Sequence, residues 1–156
     1  MGAGRPPQET LALPETFDLL LKGGTVVSHA GEGVVDIGVR DGRIASIGAI
    51  AKDRAAETID AAGLHILPGV IDTQVHFREP GMEHKEDLAS GSWSAVLGGV
   101  TAVFEMPNTK PATTSEAALA DKVARATGRM HCDFAFFVGA TRENTHELAA
   151  LERLPG

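Results

Sequence analysis

Residues 68–81 read PGVIDTQVHFREPG, and the reading of this stretch decides how the remainder of the chain is understood. Two Pro-Gly pairs bracket a short apolar opening, Val70-Ile71, which is too brief for a helix and fits a strand. Strand side chains alternate with period two, so Asp72, Gln74 and His76 are expected to share one face. Phe77, Arg78 and Glu79 follow directly, before the Pro80-Gly81 turn, as in a strand that delivers polar groups to the mouth of a site. From the residues alone, His76 is either a ligating or catalytic imidazole or a hydrogen-bonded histidine at a strand end. Arg78 is either an anion holder or a surface charge.

Downstream, the pattern alternates between helical and extended periods. Residues 86–97 (EDLASGSWSAVL) place Leu88, Trp93, Val96 and Leu97 near helical spacing and stop at Gly98-Gly99, a natural C-terminal cap. Residues 100–106 (VTAVFEM) read as the next strand, closed by Pro107. Thr113 and Glu116 have capping-box spacing and open a helix to about Thr127, with Leu119, Val123 and Ala126 on one face. Cys132 to Val138 reads as a third strand, and Asn144 with Glu147 repeats the capping-box spacing before HELAALE. Such alternation predicts an α/β fold, a parallel sheet with covering helices.

Upstream, the texture is short strands. Asp18 to Ser28 and Val34 to Gly48 favour extended structure, with Asp41-Gly42 as a type I′ hairpin turn. Thr58 to Leu67 adds another strand, with Ala62-Gly63 as a turn. Residues 1–16 hold three of the eight prolines and no apolar core of signal-peptide length, and are expected to be a flexible extension. The chain has 156 residues, 43% hydrophobic and 22% charged, which is ordinary for a soluble globular protein. A net charge of −7 argues against a nucleic-acid footprint, so a small anionic ligand would need a local cation such as Arg78. The one cysteine, Cys132, excludes an internal disulfide and fits a reducing cytosol. Its apolar neighbours, CDFAFFVG, suit packing better than chemistry. No stretch approaches the ~20 apolar residues of a membrane span, and the expected location is cytoplasmic.

The segment DTQVHFREPG resembles the signature of the cyclic amidohydrolases, above all dihydroorotase, whose first barrel strand carries D-x-H-x-H-F-R-E-P-G. The likeness extends through EHKEDLASGSWSAVLGGVTAVFEMPNT and back through LPGVID and DGRIASIG. It implies the N-terminal part of a TIM-like (β/α)8 barrel, preceded by strands of a small β-sandwich. The expected organisation is an extension over 1–16, sandwich strands over 17–67 and about three barrel units over 68–156. A closed barrel takes ~250 residues, so the barrel is expected to be incomplete and the chain an N-terminal fragment that is inactive alone.

The resemblance also implies chemistry. In the family both strand histidines bind a divalent metal, usually zinc, with one or two ions per site; here His76 can be carried over as a metal ligand, and Gln74 stands where the other histidine is expected. An amide oxygen is a weaker zinc donor than imidazole. The site therefore binds a single metal, recruits another ligand, or has lost metal and activity. Arg78 and Asn108, in HFR and MPN, match the residues that hold the substrate carboxylate in dihydroorotase. Guanidinium forks suit that group, although Asn108 read alone is a turn residue after Pro107. Asp72 either orients a metal ligand or is a carboxylate satisfied by backbone donors. His84, His131 and His146 fall outside the motif, and no catalytic residue is expected before Gly156. The implied activity is interconversion of dihydroorotate and N-carbamoyl-aspartate in pyrimidine synthesis. The alternatives are a non-catalytic structural partner of aspartate transcarbamoylase, and an allantoinase- or hydantoinase-like enzyme. The expected partners are a small anionic cyclic amide, with no nucleic acid or membrane, and either a homo-oligomer or an aspartate transcarbamoylase assembly.

Overall fold

A computed structural model describes residues 16–151. Apart from Thr16, the extension expected over residues 1–16 lies outside the described residues. The chain divides between Pro68 and Gly69 into two compact units.

In the first unit, β1 (Phe17–Ser28), β2 (Gly31–Arg40), β3 (Arg43–Gly48) and β4 (Ala55–Asp60) form one sheet in the order β3-β2-β1-β4, and a short β5 (His65–Ile66) also pairs with β1. Strands β1, β2 and β3 run antiparallel, whereas β4 and β5 are parallel to β1. Asp41 and Gly42 both take positive φ, 52° and 69°, as a type I′ turn requires. The hairpin expected within Val34–Gly48 is β2 and β3 folded about that turn. Between Leu21 and Gly24 the β1 ladder carries a bulge, and Gly23 at its centre has φ 72°. The bulge turns the Gly23 amide onto the buried Asp36 carboxylate, which also accepts from the Ile50 amide at 2.8 Å and the Lys22 ammonium at 2.7 Å. These three donors hold its pKa down at about 2, the Lys22 bond contributing most. Phe17, Leu20 and Ile50 make the apolar core of this unit, and Gly38 leaves room for the Phe17 ring.

In the second unit, β6 (Val70–Val75), β7 (Val100–Glu105) and β8 (Asp133–Phe136) form a parallel sheet in sequential order. Helices α1 (Leu88–Leu97) and α2 (Glu116–Ala126) occupy the two crossovers, and a single turn, α3 (Leu148–Leu151), follows β8. The fold is α/β, with strands delivered side by side by βαβ connections. Phe77, Leu88, Val103, Leu119, Ala126 and Phe136 form the core between sheet and helices. A fully buried leucine such as Leu88 contributes about 2 kcal/mol by leaving water.

Several local expectations change. Helix α1 begins later than Glu86, because Asp87 caps it: its carboxylate accepts from the Ser90 amide at 2.7 Å, and the Ser90 hydroxyl accepts from the Asp87 amide. The helix also buries a different side. Gly91, Ser92 and Ala95 face the core, while Trp93, Val96 and Leu97 are exposed, since the Phe77 ring lies where a Gly91 Cβ would stand. Gly99, with φ 87°, ends α1 as expected of a left-handed cap residue. Ser115, not Thr113, caps α2, accepting from the Ala118 amide at 3.2 Å. Thr113 is buried in the preceding loop, its amide on the Pro107 carbonyl. Asn144 does not cap a helix: its amide nitrogen donates to the Thr114 and Gly139 carbonyls and its oxygen accepts from Thr141, which ties two loops at the ends of β7 and β8 together.

Candidate functional site

The site is built where β6 and β7 end. Asp72 pairs with Val103 and Val75 with Glu105, so three steps along β6 match two along β7. This is a bulge at Thr73-Gln74, and it breaks the alternation expected over Asp72, Gln74 and His76. Val75 and Phe77 pack on the core between sheet and helices, so His76 between them faces the other way. Asp72 lies just before the bulge. Its carboxylate accepts from the Gln74 amide at 3.0 Å, within the bulge, and it is exposed. That hydrogen bond supports the bulge, a local role that strict period two could not foresee.

Beyond the bulge the two strand ends come together. The Met106 amide donates to the Val75 carbonyl at 2.9 Å, and just past it His76 Nδ1 lies 2.9 Å from Asn108 Oδ1. With the amide oxygen facing the ring, Nδ1 is the donor of this contact. The Asn108 Nδ2 group remains available as a donor. Arg78 is half-buried; its carbonyl accepts from the Met82 amide at 2.9 Å, while its guanidinium makes no hydrogen bond or ion pair among the described residues. Gln74 is exposed on the strand. His76 and Asn108 are thus brought into contact, Arg78 follows His76 by two positions with its fork unengaged, and Asp72 holds the Gln74 amide.

Two features were missed by sequence reasoning. Glu79 is not a turn residue in water but a buried anchor. It takes a two-pronged bond from Arg129 at 2.7 and 3.0 Å and accepts from the Leu88 amide at 3.1 Å, with Arg125 at 3.6 Å. The Arg129 guanidinium holds its carboxyl below the usual carboxylate range. The next residues close against the β7 loop, with the Lys110 amide on the Pro80 carbonyl at 3.0 Å and Gly81 packed on Lys110. Second, Glu105 and Lys122 form a fully buried ion pair at 2.8 Å on the helix side of the sheet. Burial drives the Glu105 carboxyl up to about 7, against the opposing pull of Lys122. For Glu105 the only sequence signal was an acidic residue inside an otherwise apolar run, for Glu79 there was none, and nothing local named either partner.

A zinc ion in a protein site takes three or four side-chain ligands. Among the described residues no group of three His, Cys, Asp or Glu side chains is placed to hold one. His76 supplies a single open imidazole nitrogen, and the described residues alone do not make a metal centre. Cys132 is half-buried against the core, where burial pushes its thiol pKa up. His131 stacks edge-on to Trp93 at 4.8 Å, and His146 is exposed beside Glu147. Among the described residues, no helix is long and apolar enough to cross a membrane.

Comparison with known proteins places the chain in a family. The chain is 42% identical over 133 residues to a dihydroorotase of Trichlorobacter lovleyi, covering 83% of this chain and 31% of that protein. It is 46% identical over 124 residues to an allantoinase of Rubrobacter xylanophilus, covering 79% of this chain and 27% of that one. Among solved structures, the L-hydantoinase of Arthrobacter aurescens superposes with a TM-score of 0.80 at 36% identity, over 88% of this chain and 31% of its own. The chain therefore spans about a third of the length of the relatives it matches. The family model described as Dihydro-orotase-like matches residues 63–154, the span that holds β6, the His76–Asn108 contact and the Glu79 anchor, and the chain belongs to that dihydro-orotase-like family.

Proposed function

We propose that this chain carries the substrate-holding part of a cyclic amide hydrolase, with dihydroorotate as the preferred substrate and N-carbamoyl-aspartate as its ring-opened partner. One observation supports it above the rest: the His76–Asn108 hydrogen bond at 2.9 Å, which joins two strand ends beside an uncommitted Arg78. A planar guanidinium binds a carboxylate through two parallel bonds, and Asn108 Nδ2 adds a third donor from the neighbouring strand. Together they would fix an anionic ring so that its amide carbonyl lies near His76. The cofactor we propose for the whole protein is a divalent metal, zinc by preference, with His76 Nε2 as one ligand and the others outside the described residues. The proposed location is the cytosol.

Gln74 favours a second reading, a dihydroorotase-like protein without catalysis that associates with aspartate transcarbamoylase. Elemental analysis of the purified full-length protein that contains this chain and of its Gln74→His variant, with dihydroorotate turnover on the same samples, separates the two. Zinc and turnover in the unmodified protein support the enzyme, whereas no metal and no turnover even with histidine at 74 support the partner. Substrate choice is tested with Arg78→Ala and ligand titration. Losing a charge-assisted pair of bonds costs about 1.5–3 kcal/mol, so dihydroorotate should bind roughly 10- to 100-fold more weakly while neutral hydantoin is unchanged. Equal weakening of both would refute the role given to Arg78.

A further inference from the structure

Lys122 is the largest fully buried side chain among the described residues. Its helix face is otherwise apolar, with Leu119, Val123 and Ala126 turned to the core, and a leucine or methionine would fill the same place. Taking an ammonium and a carboxylate out of water costs several kcal/mol per ion, which is recovered only when every hydrogen-bonding position is well satisfied. Here it is not. Lys122 Nζ is 2.8 Å from Glu105 Oε2, yet neither buried carboxylate oxygen receives an aligned hydrogen bond. The Phe136 ring, 5.3 Å from Nζ, adds a modest cation–π attraction. As a stabiliser the pair is a poor substitute for an apolar one.

What the ammonium does that a methyl group cannot is reach a carbonyl. Lys122 Nζ donates to Met106 O at 3.4 Å. Met106 is the junction of the site: its amide is bonded to Val75 O, immediately before His76, and two residues later Asn108 meets His76 Nδ1. Pro107 has no N–H of its own to tie down this stretch, and its carbonyl accepts from Thr109 and Thr113, which are downstream in the loop. On the upstream side the Glu105-Met106 peptide is held by Val75 and Phe137 at the ends of the neighbouring strands, and the Met106 carbonyl itself receives Lys122 from the helix side.

We infer that Lys122 is a positioning residue, held by Glu105, whose grip on the Met106 carbonyl fixes the end of β7 so that Asn108 presents its amide oxygen to His76. The use of this device in catalysis rests on the function proposed above, but its effect on the imidazole does not. It belongs to the free chain, with or without metal or substrate.

The test is histidine-ring 15N NMR on the metal-free full chain, which reads which imidazole nitrogen carries the proton. In the unmodified protein His76 should show the Nδ1–H form. In Glu105→Gln, Lys122 still reaches Met106 and that signature should persist. In Glu105→Gln with Lys122→Met, the core keeps its volume and loses both charges, so the fold should be retained while the His76 signature is lost in favour of a mixture of tautomers. Retention of the Nδ1–H signature in the folded double variant would overturn the inference. A measurement on the unmodified protein stands beside it, should the double variant not fold: Lys122 ammonium protons should exchange with solvent at least 100-fold more slowly than those of the exposed Lys52, and equal exchange would equally overturn it. Should these hold while dihydroorotate fails to bind, the proposed substrate would fall and the positioning role would stand.

Discussion

Glu79→Gln is the substitution whose outcome the structure specifies most closely. The carboxylate is buried, 4% exposed, and is met by both prongs of Arg129 and by the Leu88 amide at the start of α1. Glutamine keeps the shape but turns one oxygen into a donor that faces donors, so at least one of these bonds is lost and the others lose their charge. A charged hydrogen bond is worth about 1.5–3 kcal/mol, and a buried acceptor replaced in this way leaves its partner unpaired. Arg129 is 40% exposed and regains water, which discounts its share. The expected net loss is about 2–3 kcal/mol at neutral pH. Urea unfolding followed by Trp93, the single tryptophan, on α1, reads the unit concerned. Because the native pKa of Glu79 lies below its unfolded value, its stabilisation is complete above the unfolded carboxylate pKa and is lost as pH falls through the native one. The gap between the two proteins should therefore narrow on acidification. A loss below about 0.5 kcal/mol, or a gap that stays constant with pH, would refute the assignment of Glu79 as the anchor of the loop that carries Arg78.

Asp36→Asn should cost the first unit about 2 kcal/mol near neutrality, from a carboxyl held at about 2 against an ordinary 3.8. That contribution is present above pH 3.8 and disappears as pH falls toward 2, and faster hydrogen exchange at the Gly23 and Ile50 amides would report its loss. Gly91→Ala would normally gain nearly 1 kcal/mol of helix propensity, but its Cβ would stand 2.5 Å from the Phe77 ring; a net destabilisation of about 1–3 kcal/mol is expected, and a more stable protein by thermal unfolding would contradict that packing. Ser115→Ala should cost about 1 kcal/mol through the lost cap, whereas removing the Thr113 hydroxyl should leave helix α2 intact by circular dichroism.

How far the chain could be read varied with the range of the interaction. The Asp41-Gly42 turn, the Gly98-Gly99 stop and the Leu119-Val123-Ala126 stripe are legible because each is decided by dihedral preference or by spacing within one element. The buried face of α1 is not legible in this way, because of the four apolar residues at helical spacing only Leu88 is buried while Trp93, Val96 and Leu97 are exposed. A glycine at 91 instead let the Phe77 ring in, and no count of apolar residues along the helix reports that.

The site divides in the same way. Residue type and motif were enough to single out His76, Arg78 and Asn108 from the chain alone, since imidazole, guanidinium and amide have chemistry that does not depend on neighbours. Their arrangement was decided elsewhere. The bulge at Thr73-Gln74 depends on pairing with β7, and it breaks the alternation that period two predicts between Asp72 and His76. The contact between His76 and Asn108 spans 32 positions and the clasp of Arg129 on Glu79 spans 50. The sequence by itself determined the alternation of strands and helices and the kinds of groups at the strand ends, because backbone preference and apolar periodicity act over a few residues. Only the tertiary structure decided which of those groups meet and which carboxylates are buried, because hydrogen-bond partners and desolvation are set by segments far apart in the chain.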